Sequence, residues 1–331
     1  MKRQIILLLS VVVLASFVII NGCGKDNPVY SGNGGGITKL NANGTIVPTD
    51  HSNASGNMFI SDQNGNPISG ITSSNVSATL KWGSLDNPVD SATGIITVSS
   101  NSQQGKNVAG AITMDLSGSM NPPISPQVTC MKNGVLSYIN SMKPNDLTEI
   151  IKFSSDIEVV QQFTSDKILL KTADTSVWAG EGGATALYQS IYQGTNDVAL
   201  QPPALIRSVV AFTDGGENNS VVSRQTMISN ALSNGIPIYT VFFFVDTLNS
   251  YYHDMKNIAD TTGGFNFWVE PDSCSNLARI YQTISGQLLG SYNLSVNWQG
   301  NLPPMGTVVR ATITINYSGL KSSFTKSYVI P

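Results

Sequence analysis

Apolar residues along this 331-residue chain follow three rhythms. The first is a mostly apolar run from Ile5 to Ile20, preceded by Lys2 and Arg3 and followed by Asn21-Gly22-Cys23. A basic start, an apolar stretch and a small residue before a cut read as an export signal over 1–22, and the run falls short of the ~20 residues that span a bilayer comfortably. The second rhythm is alternation. It runs through Met58–Ser61, Val76–Trp82 and Gly94–Ser99, and returns in Ser291–Trp298, Thr307–Asn316 and Ser323–Ile330. Short alternating runs punctuated by turn residues such as Asn64-Gly65-Asn66-Pro67 predict half-buried strands.

The third rhythm lies between these groups. Apolar runs of strand length (Val108–Met114, Glu149–Phe153, Ile238–Val245, Phe265–Val269) alternate with helical stripes. One stripe, after Pro122-Pro123, carries Ile124, Val128, Met131, Val135, Ile139 and Met142; another carries Leu277, Tyr281, Ile284 and Leu288. This alternation predicts an α/β fold, a mostly parallel sheet with helices on both faces. Ile157–Phe163 follows Glu149–Phe153 across a tight Ser-Ser-Asp turn, so it is expected to be an antiparallel edge strand.

The organisation that follows is a leader (1–22), a tether (23–56), a first β segment (57–105), the α/β unit (106–290) and a second β segment (291–331). About fifty residues are too few for a confident core of their own. The two β segments are therefore read as one small β-sandwich into which the doubly wound α/β unit is inserted. The tether is rich in Gly, Asn, Ser and Pro, and some thirty such residues reach ~30 Å.

Composition narrows the function. The formal charge is −3, and it becomes −5 once Lys2 and Arg3 leave with the leader. No basic face interleaved with aromatics exists to hold nucleic acid. Ile20-Asn21-Gly22-Cys23 resembles a bacterial lipobox, which implies acylation of Cys23 and a membrane anchor. Gly24 does not resemble an inner-membrane retention signal, so the outer membrane or cell surface is the expected location. There is no G-x-S-x-G elbow and no phosphate-binding G-x-x-x-x-G-K-[ST] loop, and the expectation is a protein that is not an enzyme.

Candidate chemistry sits at the ends of the apolar strands. Val108–Met114 runs into Asp115-Leu-Ser117-Gly-Ser119, and Val209-Val-Ala-Phe-Thr runs into Asp214-Gly-Gly. Between them, Glu181-Gly-Gly-Ala-Thr185 puts a threonine on a glycine-rich turn entering a helix. Two carboxylates gathered ~5 Å apart repel by ~3 kcal/mol at an effective dielectric near 20, so such a set binds a cation or protonates. Neutral hydroxyls beside them favour a hard divalent cation. Together, and in this order, the three segments resemble the metal-ion-dependent adhesion site of von Willebrand factor A domains.

That resemblance covers about 107–290 and implies Mg²⁺ (or Mn²⁺ or Ca²⁺) as the cofactor. It implies direct coordination by Ser117 and Ser119, coordination by Thr185 in the ligand-bound state, and a direct or water-mediated role for Asp115 and Asp214. The implied partner is a protein offering an Asp or Glu carboxylate, or a glycan; the alternatives are a structural or accessory subunit of an envelope complex and a metal-free scaffold. Glu217 is expected on the rim as a specificity residue. Cys130 and Cys274 are expected to pair, because in the implied fold the first and last helices run side by side. Family members strengthen binding by sliding the last helix past the first, and such a bond would hold one position.

Overall fold

The computed structural model describes residues 36–63, 65–83, 88–101, 106–120, 126–243, 250–269 and 275–331. The chain enters a first sheet through β1 (Asn41–Gly44), β2 (Val47–Pro48), β3 (Asn53–Ser61), β4 (Val76–Gly83) and β5 (Pro88–Ser100). It then builds the α/β unit from β6 (Val108–Asp115), α1 (Gln127–Ser141), β7 (Leu147–Phe153), β8 (Ile157–Thr164), α2 (Lys167–Thr175) and α3 (Leu187–Ala199). The unit continues with β9 (Ile206–Thr213), α4 (Arg224–Asn234), β10 (Ile238–Phe243), α5 (Ser250–Thr262), β11 (Asn266–Val269) and α6 (Ser275–Leu289). The chain returns to the first sheet as β12 (Tyr292–Gln299), β13 (Val308–Tyr317) and β14 (Leu320–Val329).

The α/β sheet runs β11-β10-β9-β6-β7-β8. Every neighbouring pair is parallel except β7 with β8, which is antiparallel. Its central strand β6 is buried at every position, as a parallel strand covered on both faces must be. Val108, Ile112 and Met114 pack on one side with α1, α2 and α6. Ala111, Val209 and Ala211 pack on the other with α3, α4 and α5. Each large aliphatic side chain so buried contributes ~1.5–3 kcal/mol. Close approach of α1 and α6 depends on Gly134, where a Cβ would lie 2.7 Å from Cε2 of Tyr281. Helix α1 starts at Gln127, so Cys130 falls in its first turn.

The other sheet has eight strands, ordered β1-β3-β12-β5-β4-β13-β14 with β2 beside β3. All its pairings are antiparallel. It corrects the expected sandwich: the two segments share one ladder, because β12 inserts between β3 and β5. The sheet curls until β14 packs against β1, with the Phe324 ring beside Gly44. It also corrects the tether. Strands β1 and β2 and the start of β3 lie within 23–56. This stretch contributes few apolar side chains, but Leu40 and Ile46 are buried in the core and Asn43 is buried and hydrogen-bonded.

The two sheets meet at the end of α5. Lys326 Nζ on β14 donates to the carbonyls of Asp260 (2.5 Å) and Thr261 (2.9 Å), and Asn43 Nδ2 donates to Gly264 O at 2.8 Å. A cation at a helix C-terminus suits the dipole. Burial nevertheless pushes the Lys326 ammonium down to about 8.

A second buried group makes stability depend on pH. Glu149 on β7 faces Asp197 on α3; burial first, then the charge of Asp197 and a shared proton, lift its carboxyl to about 8. The native state then holds this proton more tightly than the unfolded chain, so the contribution is full below about pH 4.5 and is lost as pH rises through about 8. Discounted for partial solvent access, this is about 2 kcal/mol. Glu149→Gln should flatten that part of the profile and be the more stable protein at pH 8.5, by urea denaturation. Parallel profiles for the two proteins would exclude this role.

Candidate metal centre

The order of strands in the α/β sheet reverses between β6 and β9, where ligands bind in open α/β sheets. Both strands end in carboxylates there. Asp115 is fully buried at the end of β6; its Oδ1 accepts the Ser117 N–H at 2.8 Å and its Oδ2 accepts the Thr213 hydroxyl at 2.6 Å. Thr213 in turn accepts the Gly215 N–H at 2.9 Å, which fixes the turn that carries Asp214. The exposed Ser119 donates to Asp214 Oδ1 at 2.8 Å and lies 3.3 Å from the Ser117 hydroxyl. Asp115, Ser117, Ser119 and Asp214 therefore form one connected oxygen cluster.

Thr185 joins through its main chain. Its N–H donates to Asn218 Oδ1 at 2.8 Å, and its carbonyl accepts from the N–H groups of Asn218 (3.1 Å) and Asn219 (3.2 Å). The glycine turn before it docks on the Ser117 turn, with Gly118 N donating to Gly183 O at 3.1 Å and Gly182 N to Leu116 O at 2.7 Å.

Electrostatics match a cation better than an empty polar cluster. Burial, opposed by the bonds from Ser117 and Thr213 and aided by the Asp214 charge, raises the Asp115 carboxyl to about 7. Burial also raises Asp214, against the bond from Ser119. Two carboxylates thus resist ionising in a site lined by neutral hydroxyls, and a divalent cation would relieve both. Among the described residues no three His, Cys, Asp or Glu side chains gather as a metal cluster. The side chains brought together here, the carboxylates of Asp115 and Asp214 and the hydroxyls of Ser117 and Ser119, offer oxygen donors alone.

Glu217 is fully engaged. Its Oε1 accepts from Asn219 N (2.8 Å) and Ser220 N (2.7 Å), and its Oε2 from Tyr188 N (2.9 Å) and the Ser220 hydroxyl (2.7 Å). The side chain expected on the rim thus closes its own loop and caps α3. Sequence reasoning passed over Thr213, Asn218 and Tyr251, whose ring lies against Gly215 and Gly216 beside Asp214. Asn218 carried a faint signal, an Asn-Asn-Ser run one residue after the Asp-Gly-Gly turn. Cys130 is buried and disulfide-bonded; Cys23 and Cys274 lie outside the described residues.

The von Willebrand factor type A domain family matches residues 111–283 of the chain. Among solved structures, a von Willebrand factor type A protein from Catenulispora acidiphila is 11% identical, with 88% of this chain and 72% of that one covered and a TM-score of 0.49. Proximal thread matrix protein 1 from the mussel byssus is 14% identical with a TM-score of 0.47, covering 54% of this chain. The present chain spans 47% of that mussel protein's chain. A mutant of the PilB minor pilin from Streptococcus sanguinis is 13% identical, covering 78% and 80% of the two chains with a TM-score of 0.46. No curated protein matches the chain.

Proposed function

The chain belongs to the von Willebrand factor type A domain family, and from that premise we propose that it is an envelope lipoprotein binding a protein or glycan partner through a divalent cation. The carrying observation is the oxygen cluster at the reversal point: Ser119 bonded to Asp214, Ser117 at 3.3 Å from Ser119, and Asp115 buried behind them. When bound, Mg²⁺ would supply a Lewis-acidic centre able to take an outside oxygen, most naturally a partner's Asp or Glu. Asp115 and Asp214 would offset its charge, and the hydroxyls of Ser117, Ser119 and Thr185 would complete the donor set without adding charge.

Anchoring rests on Cys23, whose acyl chains would hold the body at the outer membrane. We assign Cys274 as the disulfide partner of Cys130. Its support is the packing of α1 on α6, where Gly134 meets Tyr281 and Leu277, one turn along from Cys130. That bond would hold the two helices in one register and the site at one affinity.

Titration calorimetry of the exported body with Mg²⁺ and with Mn²⁺ tests the site, and capture from envelope extract with Mg²⁺ against EDTA tests the partner. The expected result is binding in the millimolar range or tighter and capture that EDTA abolishes. A body that binds neither ion at millimolar concentration would refute the proposal.

A further inference from the structure

We infer that Asn218 is a positioning residue of the metal centre, fixing Thr185 relative to Asp214 through a loop that Glu217 holds closed. This inference rests on the metal-binding reading above. The loop leaves β9 at Asp214 and folds back at once, with Glu217 N donating to Gly215 O at 3.0 Å. Asn218 then treats Thr185 as a strand treats its neighbour: its side-chain oxygen takes the Thr185 N–H, and its own N–H goes to the Thr185 carbonyl. Asn219 adds a second donor to that carbonyl and ties the loop to Ser155 O at 2.6 Å.

Helix α3 needs this loop for a separate reason. Its N-cap is Ala186, which has no side-chain cap. The amides of Tyr188 and Gln189 are satisfied instead by Glu217 and by the Ser220 hydroxyl, at 2.9 and 3.0 Å. Four orphan N–H groups at a helix start demand acceptors, and here two of them come from the loop behind Asp214. The segments 185–189 and 214–220 are consequently one hydrogen-bonded unit. Two donors to the proposed ion, one from each segment, are carried on it.

Thr185 is 3% exposed but Asn218 is itself exposed, so shortening Asn218 exchanges a fixed acceptor on the Thr185 N–H for water. Losing such a hydrogen bond to water costs ~0.5–1.5 kcal/mol, or about two- to twelvefold in an equilibrium constant. That loss falls on the placement of Thr185. The remaining donors, Ser117, Ser119 and Asp214, are held by bonds that do not involve Asn218.

The test is a double-mutant cycle on the whole exported body, read by Mn²⁺ calorimetry with acetate present as a stand-in for the partner carboxylate. Asn218→Ala should raise the Kd about two- to twelvefold, whereas Asn218→Asp, which keeps the acceptor, should bind as tightly as wild type or tighter. In a Thr185→Ala background Asn218→Ala should have no further effect, since the hydroxyl it places is gone. Asn218→Ser, polar but one bond too short, replaces Asn218→Ala if that variant does not fold. Additive losses in the cycle, or a wild-type Kd in Asn218→Ala, would overturn the positioning role while leaving the metal site standing. A wild-type body that binds no Mn²⁺ overturns both.

Discussion

Replacing Asp115 by asparagine should erase the effect of Mg²⁺ on thermal stability while leaving the metal-free protein about as stable as wild type. A ligand that binds only the native state adds RT ln(1 + [L]/Kd), about 2.7 kcal/mol at a hundredfold excess over Kd. Wild type should therefore melt higher in Mg²⁺ than in EDTA, and Asp115→Asn should melt alike in both. In EDTA the balance is different. Asp115 is a fully buried carboxyl lifted to about 7, so its charge burdens the metal-free fold. Asparagine keeps an acceptor for the Ser117 N–H and turns a donor toward the Thr213 hydroxyl, so the two variants should lie within about 1 kcal/mol without metal. A Mg²⁺-dependent shift that survives in Asp115→Asn would contradict the assignment of this carboxylate.

The parts of the site that could be read from the sequence are those where one short segment carries the chemistry. Asp115, Ser117 and Ser119 follow one buried strand, and Asp214 follows another; strand order then brings them together. What could not be read is contact across distance. Thr213 bonds to Asp115 from 98 residues away, and Asn218 to Thr185 from 33. Nothing in local composition distinguishes these residues from a polar loop. Glu217 shows the same limit from the other side. As an isolated acid after Asp-Gly-Gly it suggests an exposed rim, and only the bare start of α3 at Ala186 explains why it is consumed as a cap.

The fold divides the same way. Strong periodicity placed the α/β strands and the helices α1 and α6, because burial on two faces leaves long apolar runs and clear stripes. Strands β1 and β2 were invisible for a physical reason. Their ladder is made by backbone groups, and their main buried polar side chain, Asn43, is satisfied by Gly264 O in the other unit. A segment that earns its place through hydrogen bonds to a distant turn looks like a linker by composition. Ile124, the first residue of the predicted stripe, lies outside the described residues, and the described helix runs from Gln127.

That distant turn is where a single methyl group should damage the joint between the two sheets. Gly263 closes α5 with φ +96, its N–H donating to Ala259 O at 3.0 Å, and a Cβ there would lie 2.3 Å from Gly44 O. Gly263→Ala therefore meets two costs. The left-handed backbone costs an alanine ~1–2 kcal/mol. The clash is with the main chain of β1, which cannot swing aside as a side chain would, so the two sheets must separate at the point where Lys326 and Asn43 clasp the end of α5. Together these should cost about 3 kcal/mol or more, a fall of roughly 6 °C or more in melting temperature for a body of this size. Gly300 supplies the control: it has φ +96 as well, but nothing lies within 4 Å of its Cβ position. Gly300→Ala should show the backbone cost alone, and the excess in Gly263→Ala measures the joint. Equal losses for the two substitutions would mean that the sheets yield there at no cost, and that the clasp at the end of α5 does not fix one unit on the other.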